Sequence, residues 1–302
     1  MLYSEIKATE KLSKFTLGTV QLGMQYGMAN THGQPSMEEA FRILDTAGEN
    51  GVNSLDTAVA YGTSEQVIGE YLKQSDHAFF VTSKFKVEGE DPRKELAQQQ
   101  QATREHLGKV DMYFFHDAKE MCRYGDLLRE PLERMRETGR TRMLGASVYE
   151  ADEVEEFLKH DWMQGIQIPM SILDSRVIER GLLEELEKRG TVVFIRSVFF
   201  QGLLCMDHVP EKYEFLTPYV EELRDIARSE SMTLQEMSVA YIRDLPGITS
   251  LVLGCETWEQ VRDNAGLLTI PSLSAGAVDA IRAVGKRVPI AEAMDRILGR
   301  KS

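Results

Sequence analysis

The chain has 302 residues, 42% of them hydrophobic in type, and a formal net charge of −13. That apolar content supplies a core for a soluble globular protein, and the acidic balance argues against nucleic acid or an anionic membrane surface as a partner. Cys122, Cys205 and Cys255 are scattered and form no C-x-x-C pair, so a reducing, cytoplasmic setting is expected. Residues 1–14 mix charges without an apolar stretch, and no apolar run approaches membrane-span length, so neither a signal peptide nor a transmembrane helix is expected.

In chain order, apolar strand-like runs fall at 15–19, 52–56, 79–84, 111–116, 142–146, 164–168, 192–197 and 249–254. Amphipathic stretches lie between them, near 36–50, 63–73, 92–107, 125–138, 151–160, 177–189, 217–243 (broken) and 257–266. This alternation argues for parallel strands joined by helical crossovers. Eight units in this length predict one α/β domain over 1–302, a closed (β/α)8 TIM barrel, with a helical tail from about 270. The alternative, an open doubly wound sheet, usually carries G-x-G-x-x-G after its first strand, and none occurs here. Ser36 with Glu39, Asp91 before Pro92 and, more weakly, Thr63 or Ser64 read as helix starts. Gly51, Gly108, Gly139 and Gly190 read as helix stops. The connections at 20–35, 117–124 and 198–216, with the tail, are expected to shape a pocket at the strand ends.

Polar residues end three successive apolar runs. Asp56 closes Ser54-Leu55-Asp56, Lys84 closes Phe80-Val81-Thr82-Ser83-Lys84, and His116 closes Met112-Tyr113-Phe114-Phe115-His116; Tyr61 follows Asp56 by five residues, just before Gly62. A buried carboxylate needs a partner, and Lys84 can be it. A phenol titrates near 10 and is a poor acid at neutral pH; a neighbouring ammonium lowers that value and makes Tyr61 a tunable general acid/base. The blander readings are that Tyr61 is a turn residue and His116 a satisfied core group. The six histidines show no metal-ligand spacing, and there is no G-x-S-x-G elbow and no P-loop.

The set Asp56, Tyr61, Lys84 and His116 resembles that of the aldo-keto reductases, in a bacterial form. The resemblance runs through Leu17-Gly18-Thr19, Gln21-Leu22-Gly23, Leu55-Asp56-Thr57-Ala58, Tyr61-Gly62, Ser83-Lys84, His116, Leu144-Gly145-Ala146-Ser147, Gln167, Gln201-Gly202-Leu203 and Asn264. It implies an oxidoreductase that reduces an aldehyde or ketone with NADPH in preference to NADH, with Tyr61 as proton donor and His116 as a second donor to the carbonyl oxygen. It also implies cofactor contacts at Gly18, Thr19, Asp56, Ser147 and Gln167, at Arg196, Ser197, Phe199, Gln201, Gly202 and Leu203, and at Gly254, Thr257, Gln260 and Asn264. Val148 stands where the family has Asn, which removes one amide contact. Arg196 stands where the family often has an aromatic ring; a guanidinium can stack too, and an ion pair with a core acid is the competing reading. Relatives often place Lys or Arg for a 2′-phosphate near Gln260; no cation matches here, Arg262 is out of register and Glu256 opposes a phosphate.

Met24, Met28 and Tyr26 either line an apolar substrate pocket or fill gaps. The expected partner is a small carbonyl compound, taken by a monomer or small homo-oligomer. A barrel isomerase or lyase without nicotinamide, or a cofactor-binding sensor without turnover, are the rival readings.

Overall fold

The computed structural model describes residues 1–7, 10–27 and 33–299. It opens with an antiparallel hairpin, β1 (Tyr3–Lys7) and β2 (Glu10–Ser13). Eight parallel strands follow: β3 (Phe15–Gly18), β4 (Ser54–Asp56), β5 (Phe80–Phe85), β6 (Met112–Phe115), β7 (Met143–Ser147), β8 (Gly165–Pro169), β9 (Val192–Arg196) and β10 (Ser250–Gly254). They pair in sequence order, and β10 returns to pair with β3. The result is the expected (β/α)8 barrel, with every strand end within two residues of the sequence reading.

Successive residues of a strand point to opposite faces, and this sorts the core. Leu17, Leu55, Val81, Tyr113, Phe115, Leu144, Ile166 and Ile195 face outward and pack in the large cluster beneath the helices. Phe80, Met112, Phe114, Met143, Val192 and Phe194 face the lumen, where Leu12 of β2 joins them. The lumen is crowded: a Cβ on Gly145 would lie 2.6 Å from the Phe114 ring, and one on Gly165 2.2 Å from the Met112 sulfur. The hairpin plugs the end where the strands begin, with Ser4 Oγ donating to Thr249 O and Ser13 N to Asn53 Oδ1. Sequence reasoning missed this hairpin, because charged Glu5, Lys7, Glu10 and Lys11 interrupt its apolar alternation.

The lumen-facing parity carries directly to the other end. Lys84, His116, Ser147, Arg196 and Gly254 each lie an even number of residues from a member or neighbour of that lumen cluster. Gly18 and Asp56 lie two beyond Thr16 and Ser54, whose buried hydroxyls bond each other, and Gln167 two beyond Gly165, whose Cβ would meet Met112. The sequence therefore delivers its polar strand ends to one ring, at the C-terminal mouth where barrel sites are built.

The helices follow their caps. Ser36 accepts from Glu39 N and Asp91 from Lys94 N, as expected, and all four stop glycines take positive φ. Thr63 does not cap its helix; its hydroxyl donates to Gly23 O instead. The stretch expected at 177–189 is two helices, parted at Gly181 with φ 67°. The connection at 117–124 is a further correction. Asp117 accepts from Lys119 N and starts a helix at once, Ala118–Glu137, so this segment is a rigid rim rather than a loop. The excursion at 198–216 contains two 3-10 helices, Phe200–Cys205 and Glu211–Leu216. The tail forms helices Ala275–Gly285 and Ile290–Leu298. No helix among the described residues is long and apolar enough to cross a membrane.

Candidate active site

The tetrad expected from the sequence meets at the mouth. Lys84 is 1% exposed, and its Nζ donates to Asp56 Oδ1 at 2.8 Å, Asp56 Oδ2 at 2.7 Å, Thr57 O at 3.0 Å and Tyr61 OH at 3.2 Å. Asp56 also accepts from Thr82 Oγ1 at 2.8 Å and from Gln167 Nε2 at 2.9 Å, so its charge is fully solvated by protein. Burial pulls the Lys84 ammonium down, but Asp56 and the Tyr61 phenol outweigh it and raise the group, which stays charged. Tyr61 departs from expectation. Burial pushes its phenol up by more than Lys84 pulls it down, so the net direction is upward. The group therefore keeps its proton at neutral pH, beside an ammonium placed to stabilise a phenolate.

The turn carrying Tyr61 is clamped from below. Val59 N donates to Lys84 O, Thr57 N to Thr82 O and Ser64 N to Tyr61 O. A chain of hydroxyls, Thr57 to Ser64 to Thr19, joins the ends of β3 and β4 to the helix Ser64–Leu72. Two glycines then allow the backbones to touch. Gly62 has φ 57°, and a Cβ on it would sit 2.3 Å from Gly23 O. We expect Gly62→Ala to displace the Tyr61 hydroxyl and cut turnover by about 10- to 100-fold, the scale of an ångström's misplacement. Gly139→Ala is the control, with φ 71° and nothing within 4 Å of the added methyl; it should lose only the stability that the positive φ costs and keep its kcat. Equal kcat values for the two variants would refute the clamp.

His116 stacks edge-on to Tyr61, with ring centroids 5.7 Å apart. Its Nδ1 is buried without a partner. Burial first, and the Lys84 charge second, hold the imidazole down at about 3. An unfolded chain protonates it near about 6.5. Between those values the unfolded state takes a proton that the folded state refuses, so stability is fully present above about 6.5 and falls as pH drops toward about 3. Urea unfolding at about pH 7 and about pH 5 should show wild type losing more stability than His116→Gln over that interval. Equal losses would mean His116 is charged in the fold.

The other predicted positions form a rim around the tetrad. Thr19 donates through its N–H and its hydroxyl to Asp56 O, fixing the Gly18-Thr19 corner. Ser147 and Gln167 lie in register on β7 and β8, both buried. Because Asp56 only accepts, the Gln167 amide must turn its NH2 toward Asp56 and its oxygen elsewhere. Val148 is buried in the core, and its carbonyl accepts from the Arg196 guanidinium at 3.0 Å. Arg196 stacks over the Tyr149 ring at 4.2 Å. It makes no ion pair with a core acid among the described residues, which removes that reading. After β9 the backbone bends sharply: Ser197, Phe200 and Gln201 have φ of 60°, 50° and 54°, and Gly202 has 97°. Phe199 flanks this bend and Leu203 is buried beneath it. A cleft opens beside it, lined by Arg196, Ser197, Gln201 and Ser171, with Met294 and Ile297 of the tail helix across from them.

At β10 the predicted residues serve one another. Thr257 Oγ1 accepts from Gln260 N and caps the helix Trp258–Leu267, Gln260 Oε1 accepts from Glu256 N at 2.7 Å, and Asn264 donates to the buried Cys255 sulfur. Met24 is 40% exposed and Tyr26 49% exposed, so neither fills a core gap; a Cβ on Gly62 would lie 3.5 Å from that of Met24, placing Met24 beside the Tyr61 turn. Met28 lies outside the described residues.

Two groups escaped sequence reasoning. Gln21 is buried at the end of β3 with Oε1 unpartnered, against Gly254, where a Cβ would lie 2.5 Å from its Nε2. Glu120 is buried one turn into the helix beyond His116, and burial pushes its carboxyl up to about 8. The Asp117-x-x-Glu120 spacing was the available signal for that helix start; Gln21 stood within the Gln21-Leu22-Gly23 match, but its contact could not be read there, since its neighbour is 233 residues away in Gly254.

The comparisons agree with this geometry. The profile of the Aldo/keto reductase family matches residues 14–286. An uncharacterised oxidoreductase of Bacillus subtilis, YqkF, is 25% identical, with 91% of this chain and 94% of that protein aligned. The NADH-specific methylglyoxal reductase of Escherichia coli is 26% identical, over 88% of this chain and 93% of that protein. Among solved structures, an aldo-keto reductase of Bacillus halodurans in its holo form superposes with a TM-score of 0.78 at 22% identity, covering 94% of this chain and 96% of that one. A glycerol dehydrogenase of Gluconobacter oxydans does so with a TM-score of 0.70 at 20% identity, covering 93% and 94%. With the barrel, the buried tetrad and a family match over nearly the whole chain, this protein belongs to the aldo/keto reductase family.

Proposed function

We propose that the chain reduces a small aldehyde or ketone to the alcohol, with Tyr61 as the proton donor. The observation that carries this is the Tyr61 hydroxyl, 3.2 Å from a Lys84 ammonium that Asp56 holds in place. Tyr61 gives its proton to the carbonyl oxygen as negative charge develops there, and Lys84 stabilises the phenolate left behind. Neutral His116 has one ring N–H to offer the same oxygen. The methylglyoxal activity in the name of the Escherichia coli relative points to a small substrate.

The residues present fit a nicotinamide dinucleotide. The orphaned Gln21 oxygen, the Gln167 oxygen turned away from Asp56, the Ser147 hydroxyl and the bent backbone at 197–202 are donors and acceptors along one rim. When bound, the nicotinamide supplies the hydride. Ser147 and Gln167 would hold its carboxamide, and the bend after β9 its pyrophosphate. Cofactor choice is set at β10. Gln260 is neutral and spent on Glu256 N–H, and Gly254 has no side chain. We therefore read the chain as accepting NADPH and NADH with little discrimination.

The test is a panel of small aldehydes and ketones with each cofactor, followed by loss of the reduced cofactor. Turnover with at least one is expected; cofactor binding without any turnover would favour a sensor, and no binding a different barrel chemistry. In the same assays Gln260→Arg should shift the NADPH-to-NADH affinity ratio toward NADPH by about tenfold, the difference between a charge-assisted and a neutral phosphate contact. Both cofactors lose the Glu256 cap equally, so the ratio isolates the charge. An unchanged ratio would place residue 260 away from the 2′-position.

A further inference from the structure

Charge at the mouth does not cancel. Lys84 is neutralised by Asp56, His116 is neutral over the working range, and Tyr61 keeps its proton. Arg196 remains. It ends β9 two residues beyond lumen-facing Phe194, is partly buried, and makes no ion pair among the described residues. Its contacts are a neutral carbonyl, Val148 O, and a neutral ring, Tyr149. The charge nonetheless reaches the reacting groups: it lowers the proton affinity of both Tyr61 and His116.

A carbonyl oxygen held by Tyr61 puts its carbon within about 3–3.5 Å of the hydride-donating atom. A nicotinamide ring serving Tyr61 would therefore share this mouth with Arg196. The reaction takes a hydride from the reduced cofactor and one proton from Tyr61 onto the carbonyl. It returns alcohol and an oxidised cofactor whose ring carries one more positive charge. A fixed cation without a counter-ion penalises the oxidised ring and leaves the neutral reduced ring untouched. For any separation up to about 10 Å at an effective dielectric constant of about 20, that penalty would be about tenfold or more in affinity.

We propose that Arg196 biases the site toward reduced cofactor, binding the dihydronicotinamide more tightly than its oxidised form, so that the free enzyme loads the reduced cofactor and releases the oxidised one, while the potential of the bound couple is raised. This rests on the carbonyl-reductase reading above. Each tenfold in that ratio corresponds to about 30 mV in the potential of the bound two-electron couple.

The experiment measures dissociation constants of the oxidised and reduced forms of the preferred cofactor, without substrate, by quenching of protein fluorescence. Wild type, Arg196→Gln and Arg196→Lys are compared. Arg196→Gln should narrow the oxidised-to-reduced ratio of dissociation constants by about tenfold, while Arg196→Lys, which keeps the charge, should hold it near wild type. If Arg196→Gln weakens both forms equally, Arg196 is a contact to a part common to both, such as the pyrophosphate, and the proposal falls. It falls equally if the ratio is unchanged, or if Arg196→Lys behaves like Arg196→Gln. Failure of wild type to bind either form would instead overturn the carbonyl-reductase reading, and this inference with it.

Discussion

Tyr61→Phe should lower turnover by at least about 10²-fold while leaving the cofactor dissociation constant nearly unchanged, because removing a general acid costs 10²–10⁴-fold. The ring itself is retained, so its edge-on contact with His116 and the clamp on residues 57–63 survive. What disappears is one hydroxyl, the group that accepts from the Lys84 ammonium and, in the proposed mechanism, donates to the substrate oxygen. Burial raises the phenol above its ordinary value, so it stays protonated through neutral pH, ready to donate. Turnover in wild type should accordingly persist into alkaline solution and fall only as the phenol is lost to ionisation. Full activity in Tyr61→Phe would overturn the assignment, and a raised cofactor dissociation constant would move Tyr61 to the cofactor site.

Lys84→Met should do comparable damage to turnover and also destabilise the fold, by about 3–5 kcal/mol, the cost of stranding a buried charge. Lys84 is 1% exposed and Asp56 3% exposed, so no water can replace the lost ammonium. Thr82 and Gln167 still donate to Asp56, but neither carries charge. The two losses are separable. Adding Asp56→Asn to Lys84→Met removes the stranded carboxylate and should restore part of the stability in urea unfolding, yet none of the turnover. Recovery of activity in the double variant would show that Lys84 acts only as a structural counter-ion. No loss of stability in the single variant would show that the mouth is wetter than its exposure indicates.

Much of the site was legible because strand parity and strand ends are local properties. A polar residue closing an apolar run is conspicuous, and Asp56, Lys84 and His116 each do so. Helix starts were legible where a cap stood alone, as at Ser36 and Asp91, and misjudged at Asp117, where the charged first turn before Tyr124-Gly125 read as loop. The hairpin was hidden for the same reason: its sequence is dominated by charge, and only Leu12 and Ile6 reveal what it covers.

What the sequence determined by itself is the order of the elements, the barrel they close, and the ring of polar residues at one end. These depend on periodicity and on which residue ends each run, and both can be read within a few positions. Only the tertiary structure decided how those residues act on one another. Gln167 reaches Asp56 from 111 positions away across the lumen, Gln21 meets Gly254, and Arg196 finds Val148 O and Tyr149 in place of an acid. The direction of the Tyr61 shift belongs here too, since two effects oppose each other: burial pushes up and outweighs the Lys84 charge, which pulls down. Identity and spacing reveal that a charge is near, but how much water is excluded around it depends on every element packed against the mouth, and that is a property of the closed barrel alone.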